Sequence, residues 1–341
     1  HDTGQNVPNR FLHSAAYWIN NPDNTWVGNV SAGSEGTGFW FALPDSVLGL
    51  SKDTGLYDSL NPGKTNLRQF DYNTSHSAPI GLTFDRGIDI QPSNGEFDNY
   101  APPRTMQINN FTAYKHLGTA VYHRAKVGIF NESRFADNTF SSFNTFSQTE
   151  RNVLFVGHSL GNADRDSVVG GFRLYDGAGT IEDSHFAGFA ASNAYTFRIE
   201  GGANKHALTR ASGITFENDG TADHISIDLF SDYALSVKQV PEFVAGRPDS
   251  FSGLVLDVDG TLTGNHGGGP GHVLTPKLDF YRDSTDVAPP GWNAYISDDR
   301  FAQFKIGVVD NNNPANLLHN RGIDGQFIPA FRIENGDGHA I

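Results

Sequence analysis

The stretch Tyr17–Leu43, YWINNPDNTWVGNVSAGSEGTGFWFAL, limits what this chain can fold into more than any other segment. Short apolar runs, Tyr17–Ile19, Thr25–Val30 and Gly38–Leu43, alternate with corners rich in asparagine, glycine and serine. None is long enough for a helix, and the apolar positions do not fall at helical spacing. The Asn-Gly and Asp-Gly dipeptides that mark two-residue hairpins do not join them. A chain that turns after each short run without doubling back predicts the coils of a solenoid, here an all-β parallel β-helix.

The pattern recurs. Asn29 is followed by Gly38 and the run Phe-Trp-Phe, Asn73 by Gly81 and Leu-Thr-Phe, and Asn110 by Gly118 and Thr-Ala-Val. Repeats of this kind stack and bury a shared core. Asparagine suits the corner because it tolerates left-handed backbone angles and can bond to its equivalent in the next coil. Asparagine and glycine would also mark the turns of a β-sandwich or a propeller. The phenylalanines between Arg134 and Phe146 predict an internal aromatic stack.

Composition narrows the function classes. With 24 basic and 38 acidic residues the net charge is −14, which argues against nucleic acid as a partner. There is no cysteine, hence no disulfide framework. That suits an exported bacterial protein better than an animal ectodomain. No apolar run approaches the length that spans a bilayer.

The segment YWINNPDNTWVGNVSAGSEGTGFWFALP resembles the β-helical domain shared by the cell-migration-inducing hyaluronan-binding protein, the transmembrane hyaluronidase and the fibrocystin-like proteins. FDYNTSHSAPIGLTFD and FTAYKHLGTAVYHRAKVGIFNESRFADN resemble the coils that follow, so the likeness covers about residues 15–165. The resemblance implies a right-handed coil, an extracellular or cell-surface setting and contact with an acidic, uronate-containing polysaccharide such as hyaluronan. Animal members carry a further domain and earlier coils ahead of this region, so the sequence is expected to be a piece of a longer chain. A polyanion would meet an acidic protein only through a basic patch or bridging calcium.

Residues 1–14 read as a lead-in, 15–260 as the β-helix, and 261–341 as a C-terminal cap or small β-module. Asp45–Asn66 reads as a long loop leaving the stack. Coils in register place like positions along one face, so a groove enzyme would draw its groups from successive coils. His76, Asp85 and Arg86 in one repeat, and His116, His123, Arg124 and Asp137 in the next, are the best local concentration of usable groups. Arg86 and Arg124 are the candidates for binding a uronate carboxylate, since the planar guanidinium meets it at two points. Asp85, His123 and Asp137 are the candidate acid/base residues, and His76, His116 and Trp40 the remaining substrate contacts. Each could equally be a solvated corner, and the pair His76 and His116 a structural stack. The competing class is a non-catalytic structural or adhesive carbohydrate-binding domain.

Three further motifs bear on chemistry. Gly157-His-Ser159-Leu-Gly161 matches the turn that presents a nucleophilic serine, yet no helical stripe follows it. Asp257-Val-Asp259-Gly-Thr261 resembles the nucleophile motif of haloacid-dehalogenase-type phosphatases, but too little sheet-forming sequence follows. The same pair suits an Asp-Gly turn or a calcium-binding corner. His1 would chelate copper only if it were a mature terminus on a compact sandwich.

Overall fold

The computed structural model describes residues 14–84, 100–159, 170–217, 225–227, 254–298, 301–302 and 331–332, apart from single positions and short gaps inside these ranges. Each turn of the chain lays one strand in each of three sheets. The first turn contributes Ala15–Ile19, Thr25–Val27 and Val30–Ala32; the next contributes Thr37–Phe41, Gln69–Asp71 and Thr74–His76. Among the described residues, successive turns build sheets of eight, ten and seven strands. Pairing between turns is parallel and in register: Tyr17 lies opposite Phe39, Phe39 opposite Leu82, and Leu82 opposite Val121. The parallel β-helix expected from the sequence is the observed fold.

The corners hold the coils in step. At the junction of the ten- and seven-strand sheets, Gly28, Tyr72, Asn110, Glu132, Asn152, Asp183 and Gly213 all have φ between 49° and 67°. A left-handed residue at this point turns the chain from one sheet into the next within two residues, and the following strand starts in register. Asn73 ties two coils directly. Its Oδ1 accepts from the backbone N–H and the Nδ2 of Asn29, each at 2.9 Å, and its own Nδ2 donates to the Trp26 carbonyl at 2.8 Å. The third sequence echo is displaced by one residue: Asp71 pairs with Asn109, so Asn110 stands level with Tyr72. Likewise Thr119 pairs with Ile80, which puts Gly118 beside Pro79, not Gly81.

Inward residues form a ladder of aromatic rings. Phe39 and Phe70 meet at 5.3 Å, Phe70 and Phe111 at 5.7 Å, Phe135 and Phe155 at 5.7 Å, and Phe155 and Phe186 stack at 4.6 Å. Offset and edge contacts at these distances add to simple burial. Phe135 joins this stack as the sequence predicts; Phe140 does not and faces outward beneath Arg173. The excursion after Leu43 contains a helical turn, Leu50–Asp53, and a 3-10 turn, Pro62–Lys64, started by Asn61. Beyond Leu254–Asp257, the last parallel strand of the ten-strand sheet, Val273–Thr275 and Tyr295–Ser297 add on antiparallel. Among the described residues no helix is long and apolar enough to cross a membrane.

Candidate functional site

Near the start of strands in the eight-strand sheet two consecutive residues are both buried: Gly38-Phe39, Gly171-Phe172, Thr196-Phe197. The residues on either side of each pair therefore share the outer face, three positions apart. One outer column runs Trp18, Trp40, Thr83 and Tyr122 and, on the far side of the strand Phe140–Thr145, Arg173 and Arg198, at positions in register throughout. Trp18 is 44 % exposed and its ring lies 4.5 Å from that of Trp40. The second outer column includes Phe140, Gly170 and Tyr195. The Arg173 guanidinium sits 4.2 Å over the Phe140 ring, and that of Arg198 5.4 Å from Tyr195. Aromatic faces accept the apolar faces of sugar rings, and a guanidinium backed by a ring is held flat for two-point contact with an oxyanion.

The residues singled out from the sequence are spread over different faces. Trp40 is only 5 % exposed, so the indole open to a ligand on this column is that of Trp18. His76 lies on the outer face of the seven-strand sheet, stacked on Tyr114 at 4.7 Å. His116 is not at an equivalent position: it stands level with Ala78 and is fully buried, its Nδ1 3.0 Å from the Ala78 carbonyl and its Nε2 3.2 Å from that of Ser75. His123 points into the core with its ring edge-on to Phe84 and Phe130. Burial pushes its pKa down to about 3. An enclosed imidazole of this kind has no surface for a polymer, which does not fit the acid/base role. Asp137, at a left-handed corner, spends both oxygens on Ser159, taking its N–H and its hydroxyl, each at 2.8 Å. Arg124 follows His123 at the end of its strand, half-buried, its N–H donating to Phe84 O at 3.1 Å. Asp85, Arg86 and His1 lie outside the described residues.

The two motif matches resolve into structure. Ser159 follows a strand of the seven-strand sheet in a solenoid, not the strand of a doubly wound sheet, and its hydroxyl is committed to Asp137. Asp257 is fully buried and anchors a loop: it accepts from Gly260 N–H at 3.0 Å and from the N–H and hydroxyl of Thr263 at 2.8 and 2.7 Å. Asp259 accepts from Gly213 N–H and from Thr261. Burial raises the Asp259 pKa, but these hydrogen bonds from Thr261 and Gly213 outweigh it and hold the carboxyl below its ordinary value. Among the described residues no group of three or more His, Asp or Glu is placed to hold a metal ion. Arg173 and Arg198 were the residues missed. Their signal was the repeated tripeptide Phe172-Arg-Leu174 and Phe197-Arg-Ile199.

Comparison with known proteins bears on the β-helix. Residues 1–82 match the family described as CEMIP beta-helix. The chain is 26 % identical to human cell surface hyaluronidase CEMIP2 over 94 % of its own length and 28 % of the relative's. It is 25 % identical to the mouse cell migration-inducing and hyaluronan-binding protein over 88 % of its length and 25 % of the relative's. Mouse fibrocystin-L is 24 % identical over 82 % of the chain and 6 % of the relative. A Dictyostelium discoideum protein matches at 24 %, over 89 % of this chain and 31 % of its own. The chain thus spans a quarter to a third of the human, the hyaluronan-binding mouse and the Dictyostelium relatives, and far less of fibrocystin-L. These relatives are eukaryotic, so the expected bacterial source finds no support in them. Through its β-helix the chain is similar to the hyaluronan-binding, surface-hyaluronidase and fibrocystin-like proteins.

Proposed function

We propose that the outer face of the eight-strand sheet binds an acidic, hyaluronan-like polysaccharide outside the cell or at its surface. The observation that carries this is the column from the exposed Trp18 past Tyr122 to Arg173 and Arg198. It crosses six inter-strand steps. At about 4.8 Å per step that is roughly 29 Å, the reach of an extended glycan and far more than one sugar. The names of two relatives, a hyaluronan-binding protein and a hyaluronidase, support the same ligand class. On a chain of net charge −14, the local arginines supply the attraction that a polyanion needs, with calcium as a further bridge.

Turnover is not part of this reading, because His123 is enclosed and both Asp137 oxygens are bonded to Ser159. The test is binding to immobilised hyaluronan and to a neutral polysaccharide, with and without calcium. Trp18→Ala is expected to weaken hyaluronan binding about tenfold, the loss of one aromatic contact worth ~1.4 kcal/mol. New reducing ends and the absorbance of unsaturated uronate are expected to stay at baseline. A folded chain that retains no acidic polysaccharide ends the proposal, and product formation ends its non-catalytic form.

A further inference from the structure

We propose that the outer face of the seven-strand sheet carries a second saccharide site, built on the open ring face of Tyr114. One acidic sugar lies there over Ala136, with its carboxylate between Arg134 and Lys115. The ligand class rests on the reading above, but the site shares no residue with the Trp18 column.

Charge sets this sheet apart. Its strands, from Val30–Ala32 to Thr215–Phe216, contain no aspartate or glutamate, on a chain that has 38 of them. The ten-strand sheet holds Asp71, Glu150, Glu182 and Asp257, and the eight-strand sheet Asp176. In the seven-strand sheet the outward residues form two columns. One runs Ala32, His76, Tyr114, Ala136, Val156; the other runs Val30, Thr74, Thr112, Arg134, Leu154. The His76 and Tyr114 rings stack with their planes 13° apart. The column then continues with Ala136, a methyl group where a third ring would lie. Val156, the next larger side chain, is two strand steps beyond Tyr114, about 9.6 Å. That gap admits one ring stacked on Tyr114, and a pyranose presents a suitable apolar face.

Two cations bracket the same spot. Arg134 is exposed and shares the outer face with Ala136, two residues along the same strand. Its Cα lies diagonal to that of Tyr114, about 8 Å away and within reach of a long side chain. Lys115 follows Tyr114 at a left-handed corner, is exposed, and donates its backbone N–H to Ala136 O at 3.0 Å. Among the described residues neither side chain is in an ion pair. Of the neighbouring carboxylates, Asp137 is buried and turned to Ser159, and Glu132 stands at the corner with the ten-strand sheet. A carboxylate on the stacked sugar thus meets a guanidinium fork on one side and a point charge on the other.

The experiment titrates a hyaluronan tetrasaccharide, its carboxyl-reduced form and a single-stranded oligonucleotide into the full chain by calorimetry. It is run on the native chain and in a Trp18→Ala background, with folding checked by circular dichroism. The Trp18→Ala chain is expected to keep a single tetrasaccharide. Adding Tyr114→Ala or Arg134→Gln should weaken it about tenfold. The carboxyl-reduced tetrasaccharide should depend on Tyr114 and ignore Arg134→Gln. Ala136→Phe removes no contact; it extends the ring stack and fills the gap, so binding in this background should vanish while the unfolding midpoint holds or rises. It carries the test if Tyr114→Ala does not fold. Unchanged affinity in Ala136→Phe and Arg134→Gln overturns the second site, as does a Trp18→Ala chain that binds nothing although the native chain binds; the Trp18 face survives both results. An oligonucleotide that binds more tightly than the tetrasaccharide and is lost in Ala136→Phe gives the gap to nucleic acid and overturns the saccharide. A native chain that binds neither tetrasaccharide nor polymer overturns the ligand class of both faces.

Discussion

His123 shows how far one residue can be from its apparent role. By sequence it sits between a tyrosine and an arginine and looks like a proton carrier; in the fold it is a core residue packed on phenylalanine edges. Its pKa, depressed to about 3 by burial, has a consequence for stability. The unfolded chain binds a proton below its ordinary pKa of 6.5, whereas the folded chain does not until about pH 3. The stabilising effect is thus complete above pH 6.5 and is lost as pH falls toward 3. In that window this group alone should contribute a slope of about 1.4 kcal/mol per pH unit. Denaturant unfolding of the native chain and of His123→Phe at several pH values between those limits checks this, since the variant should lose that part of the slope. Side-chain parity was legible: Trp18 and Trp40 were bound to share a face once Tyr17 and Phe39 turned inward. Exposure was not, because the Trp18 ring that lies against Trp40 comes from the preceding coil.

At the scale of the element, the corner was legible in kind but not in detail. The sequence pointed to asparagine; the structure shows that the requirement is a left-handed backbone, met in the same column by tyrosine, glutamate and aspartate. Each non-glycine residue there carries a cost that glycine would not. Glu132 is exposed with φ 53°, and its N–H still reaches Arg151 O at 3.0 Å, a bond that glycine keeps. Glu132→Gly is therefore expected to stabilise the chain by about 0.5–1 kcal/mol, read as a higher urea midpoint with an unchanged slope, and Glu132→Val to lower it. The period stayed hidden because coil length varies: 44 residues separate Asn29 from Asn73, but only 22 separate Phe111 from Ser133. Asp257 makes the complementary case. Replaced by alanine, it would leave the buried N–H of Thr263 and the partly buried N–H of Gly260 without their acceptor. A loss of about 2–3 kcal/mol is expected, with hyaluronan affinity unchanged.

Over the whole molecule, the spacing of the strands is also the spacing of the binding face. Affinity for oligosaccharides is expected to rise with length until both Trp18 and Arg198 are reached, about 29 Å along the column, and then to level off. A titration across a size series checks this; a plateau at the shortest fragments would place binding at one end only. The parallel stacking that makes such a face has the same geometry as a cross-β fibril, in which each layer offers its edge as a template for the next. Here, among the described residues, the ten-strand sheet ends on one reversed strand, Val273–Thr275, and then on Tyr295–Ser297, buried along its length, where Ile296 and Val287 exchange N–H to O bonds of 2.8 and 2.9 Å across the outer edge. A further parallel layer finds that edge already taken at Ile296, so at this end of the sheet a scaffold built like a fibre stops as a particle.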